Sequence, residues 1–314
     1  MSYGASASFR QHGGMVCRTT PACIGSLKAP RLFEIPIYPN PAASSKNALT
    51  SMHASELALT GLAGCFLVSC VSGLSAKGVS LSHFEMRVEA NLPLVDEVAP
   101  IEIDYNIDWE AEVAKDIIEE IVELVTQQSP NHRTFSEALP LKLRVGEEEQ
   151  VRRAQISSPD GKVNGAKHAF SCRWRYGPQL ESIWPTRDDG QKICLPIDQP
   201  KQLAGIDWGP NPQEYLLMGL AGDLLNGVFS RLGSTEANIK ELTVRTSGFV
   251  DIRGMFDVAD VPTHMQAICC EIEWTGSDHG FSKKNLMDAL MFAADNSSVA
   301  RMVRQAVNFN ICVT

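Results

Sequence analysis

Apolar and polar positions follow two periods along this chain, and the changes of period come in the same order twice. An extended stretch, Ala5–Ile37, precedes a dense apolar run whose spacing predicts a helix from about His53 to Lys77. Alternation in Leu81–Ala90 and Pro100–Trp109, with Ile101, Ile103 and Tyr105 on one face, predicts two strands. From Glu110 to Gln128 the pattern turns helical: Val113, Ile117, Ile121 and Leu124 fall on one stripe, and Asp108 is placed to cap it. Ser129-Pro130 marks a turn into a short helical stretch reaching Ser136, and Leu139–Val145 closes the half as a strand.

The second half repeats this order. Extended segments run from His168 to about Ile197. A helix opens at Asn211-Pro212, where proline suits the first turn, and reaches Leu232. Strands follow at Ile239–Ile252 and His264–Trp274, then a helix over Ser282–Ala294, a short helix over Ser298–Arg304 and a last strand, Val307–Val313. Strands and helices alternate without a regular βαβ rhythm, so the class is α+β. The turn-rich, charged segment between the halves reads as a linker or exposed loop. The boundaries predicted are a first unit at 1–147, a linker at 148–165 and a second unit at 166–314.

Composition narrows the function classes. With 44% apolar and 21% charged residues over 314 positions, the chain has the balance of a folded, soluble protein of two domain lengths. A formal net charge of −9 argues against a nucleic-acid partner, which needs a basic face. No basic, apolar and small-residue sequence of a secretory leader stands at the start, and the run Leu57–Val71 is too short to span a bilayer. A cytoplasmic protein without a membrane partner is expected. The nine cysteines form no CxxC pair and no Cys/His cluster, so neither a bound metal nor a disulfide framework is expected.

Gly61-Leu62-Ala63-Gly64-Cys65 recurs as Gly219-Leu220-Ala221-Gly222-Asp223, each within an apolar helix and each with a glutamate upstream in the same register, Glu56 and Glu214. Asn211-Pro212-Gln213-Glu214 opens the second of these helices, and Ser129-Pro130-Asn131-His132-Arg133-Thr134-Phe135 follows the first. These motifs resemble those of the OsmC/Ohr superfamily of thiol-dependent peroxide-reducing proteins, whose signatures are an Asn-Pro-Glu-Glu helix opening that ends in Ala-Ala-Cys, and Cys-Pro-Val-His-Arg-Thr-Leu.

The resemblance implies two such units in one chain, forming internally the dimer that the family builds from two subunits. Each unit would have a buried central helix packed on an antiparallel sheet. It also implies a cysteine that attacks a hydroperoxide, a second cysteine that closes a disulfide, and an external dithiol that restores both. Only one of four redox positions keeps sulfur: Cys65 faces Asp223 across the repeat, Ser129 replaces the second cysteine, and its counterpart falls near Asn296. The family's glutamate aligns with Ser55 and Gln213, one position before Glu56 and Glu214.

Cys65 sits too deep in its helix for the terminal dipole to help it ionise, so it needs a neighbouring cation. The candidates are Arg10, Arg18, Arg173 and Arg175, with Glu56 and Glu214 to arrange them. Ser129 is either a helix cap or a neighbour of Cys65, and His132 either a surface residue or a base toward Cys65. Asp223, a carboxylate in an apolar helix, requires a partner, either a retained arginine or a remodelled site. Cys70, about 140° round the helix from Cys65, points away from it; Cys17 and Cys23 are the alternative sulfur partners.

Three readings stand. Cys65 is a one-cysteine peroxidase centre reducing organic hydroperoxides with an external thiol or dithiol and no bound cofactor. Or it is a nucleophile or base acting on a small hydrophobic carbonyl-type substrate. Or both sites are extinct and the protein binds without chemistry. Beyond the internal pair, further oligomers stay open.

Overall fold

The computed structural model describes residues 1–10, 14–28, 32–38, 52–93, 100–153, 165–185, 192–232, 239–276 and 282–314. From the N-terminus, strands β1 (Ser2–Arg10), β2 (Gly14–Thr19), β3 (Cys23–Ile24), β4 (Leu27–Lys28) and β5 (Glu34–Ile37) lead to helix α1 (Ala54–Ala76). Next come β6 (Leu81–Leu92), β7 (Glu102–Ala111), α2 (Lys115–Gln128), α3 (Pro130–Ser136), β8 (Leu141–Val145) and β9 (Glu148–Arg152). The order then recurs: β10 (Ala166–Tyr176), β11 (Gln179–Pro185), β12 (Lys192–Ile197), α4 (Pro212–Leu232), β13 (Ile239–Phe249), the one-turn α5 (Ile252–Met255), β14 (Gln266–Gly276), α6 (Lys283–Asn296), α7 (Ser298–Arg304) and β15 (Asn308–Val313). The segment expected as linker begins as strand β9, paired with β8, and its residues 154–164 lie outside the described ones.

Among the described residues the strands form two sheets. One runs β4-β3-β1-β13-β14-β8-β9, with β2 on β1 and β5 on β2; the other runs β12-β11-β10-β6-β7-β15. Neither sheet belongs to one half of the chain. β1 pairs antiparallel with β13 and β10 with β6, while β8 pairs parallel with β14 and β15 with β7. The expected antiparallel sheets therefore each carry one parallel pairing, made by the strand that ends a half and crosses to the other half's sheet.

Helix α1 is 23 residues long and falls where the His53–Lys77 helix was expected, but by length it is not too short to span a bilayer, as its run Leu57–Val71 alone suggested. Its length and mean hydropathy of 2.0 suit a membrane span, yet 83% of that window is buried inside the protein, chiefly against α4 and the sheets. The repeated Gly-Leu-Ala-Gly motif is what lets the two helices cross. A β-carbon on Gly61 would stand 2.4 Å from the Pro212 carbonyl oxygen, and one on Gly219 would stand 2.6 Å from the Ala58 nitrogen. Both obstacles are backbone, which cannot swing aside. Gly219→Ala is expected to force the helices apart and cost about 2–3 kcal/mol, as overpacking does, seen as a lower urea midpoint with unchanged slope.

Both helix starts are capped from within. His53 N–H donates to Glu56 Oε2 at 2.7 Å, and Asn211 N–H to Glu214 Oε2 at 2.8 Å while Glu214 N–H donates back to Asn211 Oδ1 at 2.9 Å. Helix α2 starts later than its apolar stripe suggested. Glu110 and Ala111 pair with His83 and Leu81 of β6, so the sheet ladder holds them extended and Ala114, not Asp108, becomes the N-cap.

Candidate functional site

Cys65 lies one turn beyond Gly61 on α1, where that helix meets the start of α3 and the start of α4. Its side chain is 2% exposed. The sulfur accepts from the Asn131 backbone N–H at 3.5 Å and from Gln213 Nε2 at 3.4 Å. Ser129 holds the N-cap position of α3 with Pro130 following, as expected, but its side chain makes no capping bond, and its buried hydroxyl has no hydrogen-bond partner among the described residues.

Asn131 ties the three helices together. Its side-chain amide donates to the Gly61 carbonyl at 2.8 Å and to the Pro212 carbonyl at 2.9 Å, so one residue of α3 clasps α1 and α4. Gln213, the residue after Pro212, comes from the opposite half of the chain. The site is complete only because the two halves pack together.

The sulfur is an uncharged thiol at neutral pH. Burial pushes its pKa up to about 11, and the neighbouring Ser129, Asn131 and Gln213, which favour the thiolate, offset only part of that. No cation contributes among the described residues, and the expected arginines explain why. Arg10 pairs with Glu241 and Arg18 with Glu34, while Arg173 and Arg175 share Glu181. All four sit on partly exposed strand faces, held by carboxylates. Glu56 and Glu214, expected to arrange the thiolate, are occupied as helix caps.

His132 is not the base for Cys65 either. Its ring is buried among Phe309, Phe66 and Tyr105, with centroids 4.1, 5.2 and 6.1 Å away, and no hydrogen bond joins it to the sulfur among the described residues. Burial, helped by neighbouring Arg133, lowers its pKa to about 4. The folded protein thus binds that proton less readily than the unfolded chain does. His132 contributes stability that is complete above about pH 6.5 and lost as pH falls through 4, about 3 kcal/mol in all. His132→Phe is expected to flatten the fall of Tm between those pH values.

A groove of about 750 Å³ ends at Cys65 and Gln213. Its walls are the outward stripe of α1, including Val68 and Gly73, and the facing side of α2, with Ile121 and Leu124. Leu203 and Phe256 from the second half close it. The lining is mostly apolar, with Ser69, Ser72, Lys77, Gln128, Gln199 and Gln202 among its polar members.

The matching point in the second half is built differently. Asp223 accepts from Ser297 Oγ at 2.5 Å and from the Val299 backbone N–H at 2.7 Å; the second of these matches the backbone N–H that Asn131 gives Cys65. Ser297, one residue after the Asn296 expected, is the N-cap of α7 as Ser129 is of α3. Burial raises the Asp223 pKa, opposed by these two bonds and by the charge of Arg301. The carboxylate caps α7 from across the helix pair, and its bonding partners are a hydroxyl and a backbone amide.

Cys17 donates to the Met218 carbonyl on α4 and Cys23 to the Pro21 carbonyl, so neither stands ready to resolve Cys65. No group of three or more His, Cys, Asp or Glu side chains able to hold a metal ion occurs among the described residues. Gln213 and Asn131 are the functional neighbours that the sequence reading left out. Gln213 could have been found, since it occupies the register of the family's glutamate; Asn131 acts through contacts far away in sequence.

Residues 47–144, which include α1, Cys65, Ser129 and His132, match the family model described as OsmC-like protein. An OsmC like protein from Mycoplasma pneumoniae, known from a crystal structure, aligns over 41% of this chain and 84% of its own at 17% identity, with a TM-score of 0.29. No curated protein matches the chain.

Proposed function

We propose that Cys65 is the nucleophile of a thiol-dependent reaction on a small apolar compound bearing a carbonyl-type oxygen. The observation that carries this is the company of the sulfur: two neutral N–H donors, from Asn131 and Gln213, beside a mostly apolar groove that Cys65 lines. The reacting species is the minor thiolate form of this buried thiol. The S–C bond forms, the carbonyl π pair moves to oxygen, and the proton released by the sulfur ends on that oxygen. The amide donors beside the sulfur stabilise the charge while it develops there. With an ester in place of an aldehyde or ketone, the proton leaves with the alcohol and an acyl group stays on Cys65.

The two halves are, on this reading, copies of one unit that build within one chain what the family builds from two subunits. The reciprocal contacts of Gly61 and Gly219 and the matched strand exchanges support it. Tandem arrangement then leaves one half free to keep its sulfur and the other to replace it.

Hydroperoxide reduction is the second reading, favoured by the family match over residues 47–144. There the sulfur attacks the outer peroxide oxygen, the O–O bond breaks, the alcohol departs with the proton, and an external thiol reduces the sulfenic acid. Intact-mass and peptide mapping after exposure to activated esters, or to cumene hydroperoxide with dimedone, separates the readings. A carbon adduct on Cys65, absent in Cys65→Ser, is expected. A dimedone adduct with none from the carbonyl compounds would transfer the assignment to peroxide reduction, and no adduct of any kind would leave a protein that binds without chemistry.

A further inference from the structure

We infer that Asn131 is a positioning residue that sets the reactivity of Cys65 by holding Gln213 against the sulfur. The inference rests on the reading of Cys65 as the reacting group. Gln213 reaches Cys65 from the first turn of α4, and the glycine contacts between α4 and α1 bring that turn close without a directional bond. The link is the Asn131 amide, whose two N–H bonds run to Gly61 O, one turn before Cys65, and to Pro212 O, the atom just before Gln213. Both carbonyls belong to backbone, so the clasp locks helix against helix. The same residue gives its own backbone N–H to the sulfur, which places the clasp and both donors on one rigid unit.

Asn131 is fully buried, and Gln213 is 4% exposed, so neither bond competes with water. The helices also touch at this point through glycine: Gly61 leaves no room for a β-carbon before the Pro212 carbonyl. Glycine permits the approach, but it supplies no directional bond to set the slide of α4 along α1. Asparagine supplies it. Its counterpart in the second half is Val299, which gives the backbone N–H to Asp223 but has no side-chain amide to bridge the helices. The clasp is therefore confined to the half that keeps the sulfur, and that asymmetry is difficult to ascribe to packing alone.

Gln213 is a donor worth positioning. Losing a hydrogen bond to a charged acceptor changes the population of the thiolate by about tenfold or more. An amide that has drifted by an ångström gives up most of that.

The test is the pH dependence of Cys65 carbamidomethylation by iodoacetamide in the full chain, followed by peptide mapping so that exposed Cys194 and Cys312 are read separately. Four proteins are compared: the parent, Asn131→Ala, Gln213→Ala and the double variant. Each single change is expected to move the midpoint of the profile upward by about one pH unit, a tenfold loss of rate at fixed pH below it. The double variant is expected to be no worse than either single one, because the amide of Asn131 acts through Gln213. If the two losses multiply, or if Asn131→Ala leaves the midpoint unmoved while Gln213→Ala shifts it, the inference is overturned. Should Asn131→Ala not fold, Asn131→Ser, which removes the second arm of the clasp and keeps a small polar side chain, is judged by the same cycle. The profile is read without any substrate, so a protein that forms no carbonyl adduct defeats the proposed function while leaving this coupling measurable.

Discussion

Cys65 is expected to react with iodoacetamide at pH 7.5 about a hundredfold more slowly than an exposed thiol of the same chain, with a rate that climbs tenfold per pH unit until near pH 11. The sign follows from the environment. Burial favours the uncharged thiol and lifts its pKa from 9.0 to about 11, while Ser129, Asn131 and Gln213 pull the other way without prevailing. Two units are two decades of thiolate, which is the reacting species. Introducing a carboxylate sharpens the effect. Gln213→Glu places a negative group about where the amide now sits, 3.4 Å from the sulfur, and is expected to slow the reaction a further tenfold or more through like-charge repulsion. Stopped-flow or quenched alkylation with peptide mapping measures both. A rate that levels off near pH 7 would mean that the thiolate is already formed in the native protein, and the picture of a neutral sulfur among neutral donors would be wrong.

Asp223→Ala is expected to destabilise the fold by about 2–3 kcal/mol, whereas Asp223→Asn is expected to match or exceed the parent at pH 7. Removing the side chain leaves the Ser297 hydroxyl and the Val299 N–H without their acceptor in a buried place, and such groups cost their full desolvation. An asparagine keeps an acceptor oxygen for them and carries no charge to bury. The pH dependence separates the two contributions. Because the folded-state pKa of Asp223 is raised, the native protein holds this proton more tightly than the unfolded chain. The charge therefore costs stability as pH rises through the carboxylate range, and the advantage of asparagine should vanish on acidification. Urea titrations of the three proteins at pH 4 and pH 7 decide it. An Asp223→Ala protein as stable as the parent would show that the carboxylate is a bystander and not the staple between α4 and α7.

Much of the fold was legible because period and turn chemistry are local. The helices around Cys65 and Asp223, the short helix after Ser-Pro and the strands that follow each central helix fall where alternation and apolar spacing put them. The repeat was visible in Gly-Leu-Ala-Gly, although its physical reason, backbone contact between crossing helices, needs three dimensions. The start of α2 was misread because Glu110 and Ala111 obey their partners on β6 and not their own helical pattern. The arginines were misassigned for a related cause. A guanidinium on a strand goes to the nearest carboxylate across the sheet, and Glu241, Glu34 and Glu181 were nearest.

The chain by itself determined that Gly-Leu-Ala-Gly recurs, followed by Cys65 in one place and by Asp223 in the other, because residue identity is all that this statement requires. Only the tertiary structure decided what the sulfur meets: a side-chain amide from the opposite half, a backbone amide from the start of α3, and no cation among the described residues. A thiol's acidity is set by the few groups within a hydrogen bond of it and by how much water has been excluded. Both come from segments tens to well over a hundred residues apart that meet only when the helices cross.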